Sequence, residues 1–384
     1  MVSDTLAFFE PKRQLIVDAI SGLVPPSGPT RESMGRIAEF CGRGKLIRGC
    51  LVFLGAAVAE EAHAAAGGSA ADGAAGMALA AAAMELFQAG LLAHDDIMDR
   101  DELRRGAPTI HARYAAEASA RSAAEAAAGL LPAAEARHIG ESLAICLGDL
   151  CYFEGFAVLT RALAGNPWQG EILALCGSGL GEVAVAQMAD VSWGAGSGEV
   201  PEDEILAMYR GKTARYSFSL PLAVGALAAA GRAGGRPGSG GAGSAVEDLV
   251  RLLYELGEKL GLLFQIRDDE LGLFGPAAEI GKVAGSDLRE GKKTLFRSRL
   301  LAAAPDSERP RLGALFGGGV EPCGDDLAYI RHLAEALGVT ASIAAMAREA
   351  EVEAGSILRA LPFLEPGTRA ILEGLVEYVT RRDK

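Results

Sequence analysis

Apolar residues recur at intervals of three and four through most stretches longer than a dozen residues, the period of a helix with one buried face. This periodicity predicts helices at 4–21, 31–41, 45–61, 75–99, 135–163, 168–192, 202–230, 245–273, 295–304, 324–336, 338–360 and 366–381. Glycine and proline interrupt the pattern. VPPSGP from Val24 to Pro29 reads as a turn, and the glycine-rich stretches around Gly67 and from Gly231 to Ser244 read as flexible surface loops. The alanine-rich piece from Ala115 to Leu131 reads as an exposed, variable segment, giving loops near 63–73, 115–134 and 231–244. Runs of Val, Ile and Thr are few, so the fold class is all-α. Nothing resembles a linker between independent cores. The expectation is a single domain over 1–384, one large helical bundle with a central cavity.

Composition narrows the function. The 384 residues are 50% hydrophobic with a formal net charge of −13, ample for a core and opposed to nucleic-acid binding. Cys41, Cys50, Cys146, Cys151, Cys176 and Cys323 are scattered without CxxC spacing, mostly in apolar surroundings. They read as buried free thiols, which suits a reducing cytoplasm. The first residues carry early acids and no basic start before an apolar run, so no signal peptide is expected. Ala74 to Ala93 is long enough to span a bilayer, but it contains Glu85 and Gln88 and ends in aspartates. A buried core helix, and no membrane span, is the expectation.

Two acidic clusters stand out, DDIMD at Asp95 to Asp99 and DDELG at Asp268 to Gly272. On a helix Asp95 and Asp99 share a face, with Asp96 as a neighbour that holds water or orients a ligand. Like charges on one face repel unless a cation lies between them. Carboxylates leaving room for water and phosphate oxygens describe a Mg²⁺ site. Arg104 and Arg105 follow, with Gly106 and Pro108 breaking the helix, so acids for metal sit beside arginines that fork onto phosphate. Lys45 and Arg48 are three apart at the start of an apolar helix, on one face. Lys212 and Thr213 lie mid-way through an apolar region, where a lysine is costly unless it faces a cavity or an anion. Gln265 precedes the second cluster, and Lys282, Lys292 and Lys293 follow it.

These motifs in this order, GKxxR, DDxxD with RRG, QxxD, KT, and QxxDD with GK and a final lysine, resemble the polyprenyl synthetase family of trans-type isoprenyl diphosphate synthases. The resemblance runs from about Gly44 to Leu295, and DDELGLFG and SDLREGKKTL look most like actinobacterial members. It implies the isoprenoid synthase type I fold and a homodimer. It also implies Mg²⁺, three ions per active site, held by Asp95, Asp99 and Asp268, and an allylic diphosphate bound by Arg104, Lys212, Lys282 and Lys292. Thr213 and Gln265 would line the reacting end of that substrate, and Lys45, Arg48 and Arg105 would bind isopentenyl diphosphate, with Gln88 at the family's frequent histidine position. Gln187 and Asp190 match QxxD, although Ala186 replaces the usual glycine, and Gly272 stands where a third aspartate is usual.

The implied chemistry follows from charge: a neutralised diphosphate leaves, the allylic cation is attacked by the double bond of isopentenyl diphosphate, and a proton departs. One turn before Asp95 lie Gly90 and Leu91, with no aromatic there to stop a growing chain early, and two turns before lies Phe87, a candidate floor. The expected product is geranylgeranyl diphosphate, with farnesyl or longer products as alternatives. A class I terpene cyclase or a non-catalytic regulatory subunit fits less well. The former expects a different second metal motif and no isopentenyl site, and the latter expects lost acidic or basic residues.

Overall fold

The computed structural model describes residues 2–68, 74–124, 131–196, 198–238, 242–275, 285, 288, 291–317 and 322–381. Apart from one two-stranded hairpin, its regular elements among these residues are helical, and the all-α class holds. In chain order they are α1 (Val2–Ser21), α2 (Arg31–Gly42), α3 (Ile47–Ala65) and α4 (Ala74–Met98), then β1 (Leu103–Arg104) and β2 (Ala107–Pro108), then α5 (Ile110–Ala124), α6 (Ala133–Ala162), α7 (Gln169–Ala195) and α8 (Glu202–Tyr209). A π-helical stretch (Arg210–Ser219) leads into α9 (Leu220–Arg232) and α10 (Ala242–Phe274). The chain closes with α11 (Leu295–Ala303), α12 (Arg309–Leu315), α13 (Gly324–Ala336), α14 (Val339–Arg359) and α15 (Pro366–Arg381).

The chain sorts into two compact units. The smaller comprises Pro11–Cys50 and Ala74–Ala164, the larger Met1–Glu10, Leu51–Gly73 and Gly165–Lys384.

In the smaller unit α4 packs along α6, which also carries α5. Ala80, Ala81, Ala82 and Ala83 are all at most 1% exposed. Four consecutive residues sweep a full helical turn, so α4 is enclosed on every side there. Helices α4, α6 and α7 are each long and apolar enough to cross a membrane by length and composition. The apolar window of α4 is 61% buried, as a core helix requires, whereas α6 exposes Phe153 and α7 exposes Met188. After α4, Arg105 and Gly106 take φ of 55° and 74° between β1 and β2, the two left-handed residues of a type I′ turn.

In the larger unit α10 is the spine, and the π-helical stretch lies directly against it. A Cβ at Gly261 would come within 2.1 Å of the Ala214 Cα, and one at Gly257 within 2.4 Å of the Ser219 Cα. Only glycine, twice at four-residue spacing on one face, lets the two backbones approach this closely. Beyond α10, Leu273, Phe296, Leu300, Leu312, Ile330 and Val339 gather into one buried cluster with the C-terminal helices.

Several boundaries differ from the sequence reading. The helix expected over 202–230 is interrupted by ten residues with i→i+5 hydrogen bonding. The segment read as a loop from 115 is helical to Ala124, because α5 packs on α6. Helix α12 was not foreseen, and α3 begins at Ile47, two residues later than expected. Four cysteines are buried, but Cys146 and Cys323 are exposed.

Gly261→Ala is expected to overpack the contact with Ala214 and cost about 1–3 kcal/mol, read as a lowered melting temperature by circular dichroism. An unchanged melting curve would show that the two backbones can separate without penalty.

Candidate active site

In the smaller unit the acidic motif closes α4. The Asp99 amide donates to the Asp95 carbonyl at 2.8 Å, so helical bonding continues and both carboxylates share one half-buried face, as their spacing requires. Asp96 does not join them. It is fully buried and accepts from Arg104 Nε, while its Oδ2 is buried without a hydrogen-bond partner. Burial pushes the Asp96 carboxyl up to about 6, against the opposing pull of Arg104. The expected neighbour that orients water or ligand is therefore a buried anchor for an arginine. Arg104 Nη2 also lies 3.3 Å from Asp95 Oδ2 and 3.7 Å from Asp101 Oδ2, so its guanidinium is held among three carboxylates. His94, next to the motif, ties α4 to α6: its Nε2 lies 3.1 Å from the Ile145 carbonyl, and its ring meets Tyr152 edge-on at 5.6 Å.

The basic residues of this unit stand near a buried acid. Leu46 takes φ of 53°, so exposed Lys45 precedes α3 instead of sharing a helical face with Arg48. Arg48 is half-buried in the first turn. The Arg105 guanidinium covers Gly44, where a Cβ would come within 2.7 Å of Nη1. Glu85, 6% exposed, accepts the Gly49 amide on Oε1 at 2.8 Å. Burial raises its pKa, and the positive charges of Arg48 and Arg105 together with the Gly49 amide oppose that rise. Gln88, one turn on, is half-buried.

In the larger unit the second motif is built into a hydrogen-bonded chain. Thr213 Oγ1 donates to Gln265 Oε1 at 2.7 Å, and Gln265 Nε2 donates to Asp269 Oδ1 at 2.8 Å. The Tyr209 hydroxyl donates to Asp269 Oδ2 and accepts the Leu295 amide at 2.9 Å. Asp269 is 7% exposed, whereas Asp268 faces solvent. Of the two adjacent aspartates, Asp268 is thus the one available to a ligand. Lys212 on the π-helical stretch pairs with Asp190 at 2.6 Å, which links the KT and QxxD motifs. Lys292 is half-buried shortly before α11, and Lys282 lies outside the described residues.

Among the described residues no three His, Cys, Asp or Glu side chains come together as a ready-made metal centre. Mg²⁺ asks for less: one or two carboxylates, with water and substrate phosphate completing the octahedron. The half-buried pair Asp95 and Asp99, sharing one face, fits that demand. A cavity of about 550 Å³ within the larger unit is lined by Arg267, Asp269, Phe274, Leu295, Ile343 and Arg348, among others. It borders the second acidic cluster through Asp269, Glu270 and Leu271, although none of the residues assigned a binding or metal role from sequence lines it.

The polyprenyl synthetase family profile matches residues 34–331, and every motif described above falls inside that span. The chain belongs to this family. It is 33% identical over 241 residues to a geranylgeranyl diphosphate synthase of Saccharolobus solfataricus, covering 62% of this chain and 60% of that protein. It is also 31% identical over 342 residues to a (2E,6E)-farnesyl diphosphate synthase of Mycobacterium bovis, covering 88% of this chain and 80% of that protein. Among solved structures it resembles a geranylgeranyl pyrophosphate synthase of Corynebacterium glutamicum, complexed with isoprenyl diphosphate and magnesium. That likeness has a TM-score of 0.72 at 26% identity and covers 98% of each chain. The all-α fold of these synthases is the fold of this chain.

Two residues escaped the sequence reading. Glu85, a lone acid inside an apolar helical run, signalled a buried partner. Tyr209 carried no such signal, because tyrosine three positions before Lys212 looks like ordinary core.

Glu85 ionises less readily folded than unfolded, so it subtracts stability as pH rises past the ordinary carboxylate range. Glu85→Gln keeps an acceptor for the Gly49 amide and is expected to lessen the fall in stability as pH rises above about 4, measured by urea unfolding. Identical pH slopes in the two proteins would reject a buried charge at this position.

Proposed function

We propose that the chain catalyses Mg²⁺-dependent head-to-tail prenyl transfer, condensing an allylic diphosphate with isopentenyl diphosphate to a longer trans-prenyl diphosphate. The observation that carries this is the half-buried Asp95 and Asp99 pair, sharing one face where α4 ends, inside a family match that spans all the ordered motifs.

In this reading Asp95, Asp99 and Asp268 ligate the divalent ions, three per site as the family resemblance implies. Bound metal neutralises diphosphate oxygens and so makes the leaving group competent. Arg104, Lys212, Lys282 and Lys292 bind the same diphosphate, and Lys45, Arg48, Arg105 and Gln88 receive isopentenyl diphosphate. Arg104 is pre-set by Asp96 and Asp101, and Lys212 by Asp190, so these cations need little rearrangement when charge develops on the leaving group. Thr213 and Gln265, joined at 2.7 Å, present a fixed polar edge to the reacting end of the allylic substrate.

The proposed product is geranylgeranyl diphosphate. Residue 90 itself supplies no aromatic ring one turn from Asp95, although the Tyr152 ring of α6 packs against Gly90. Phe87 is fully buried against Phe156 of α6, with ring centroids 4.8 Å apart, and supplies a rigid floor.

Purified protein incubated with Mg²⁺, isopentenyl diphosphate and each allylic primer in turn, with the products sized by chromatography, tests the reaction. Asp95→Ala is expected to lower kcat on the order of 10²–10³-fold while the far-UV circular dichroism stays the same. Turnover at the original level would refute the metal assignment. Phe87→Ala is expected to shift the products of the folded fraction toward longer chains, and an unchanged distribution would reject Phe87 as the floor.

A further inference from the structure

We infer that Tyr209 is a positioning residue that fastens the 292–295 segment to the second aspartate motif. The inference rests on the prenyl-transfer reading above, in which Asp268 and Lys292 engage the allylic diphosphate.

Tyr209 is 1% exposed, at the end of α8, with its ring packed against Val200, Ile205 and Leu295. In that apolar setting its hydroxyl acts as both donor and acceptor. It donates to Asp269 Oδ2 and accepts the Leu295 amide at 2.9 Å. Asp269 is also held on its other oxygen by Gln265, itself held by Thr213. One unbroken hydrogen-bonded line therefore runs from the π-helical stretch, through α10, to the first residue of α11.

The Leu295 amide lies at the N-terminus of α11, where backbone donors have no intrahelical partner. Thr294 caps this helix by accepting the Arg297 amide at 3.3 Å, and Tyr209 takes the amide of Leu295. Lys292 sits three residues upstream. Asp269 is adjacent to Asp268 on α10. The hydroxyl thus sets the register between the segment carrying an anion-binding lysine and the helix carrying the outward aspartate. Asp269 contributes as the buried foundation of this link.

Tyr209→Phe removes one oxygen and leaves the ring in its apolar nest. In the full chain, KM for the allylic diphosphate is expected to rise roughly three- to tenfold, the loss of about one buried hydrogen bond, while KM for isopentenyl diphosphate stays the same. Hydrogen exchange of the peptide containing Leu295 should accelerate in the variant. A variant with both KM values unchanged and only a lower melting temperature would overturn the inference, since a packing role predicts that pattern. An equal rise in both KM values would overturn it as well. Failure of the unmodified chain to turn over any allylic primer would overturn the prenyl-transfer reading itself, a result visible before any variant is made.

Discussion

The close approach of two backbones, α10 and the π-helical stretch, is the constraint on which the larger unit depends. Gly257 and Gly261 leave no room for even a methyl group between α10 and the Ser219 and Ala214 backbone. Thr213 lies one residue before Ala214, and Gln265 lies one turn after Gly261, so this contact brings the two side chains within hydrogen-bond distance. From there the polar line continues to Asp269 and Tyr209. A wider separation would break the Thr213–Gln265 hydrogen bond, whereas the Gln265–Asp269 bond, made within α10, would persist.

Electrostatics follows one rule in both units. Several of the cations assigned to phosphate are held or faced by acids. Arg104 is held by Asp95, Asp96 and Asp101, Lys212 by Asp190, and Arg48 and Arg105 stand in the field of buried Glu85. A chain of net charge −13 can therefore present anion-binding groups, because acids set their positions locally. The arrangement also explains why adjacent aspartates differ. In each DD pair one residue is buried as an anchor, Asp96 or Asp269, and the other is more accessible, Asp95 half-buried and Asp268 exposed.

Much of this was legible in the sequence. The 3.6-residue period placed α4 and α10 within a residue or three of their observed ends, and the i,i+4 spacing of Asp95 and Asp99 survives in the helix. What the period could not carry was backbone detail. A π-helical stretch keeps helical composition, so 202–230 reads as continuous. Lys45 looked like part of α3 because nothing in its residue type marks Leu46 as left-handed. The anchoring of Asp96 was hidden for a different reason: which face of α4 is enclosed depends on α5, α6 and the hairpin, not on the motif. Alanine content misled at α5, where helix propensity was present but packing on α6 was invisible.

The fully enclosed turn from Ala80 to Ala83 has an asymmetric evolutionary consequence. Where every direction around a helix is occupied and each side chain is already a single methyl, any enlargement must displace its neighbours. One turn further along, Phe87 faces Phe156 across an aromatic contact that trimming would open. Variation in this family member can thus carve space near the aromatic pair far more readily than it can fill space at the alanine turn.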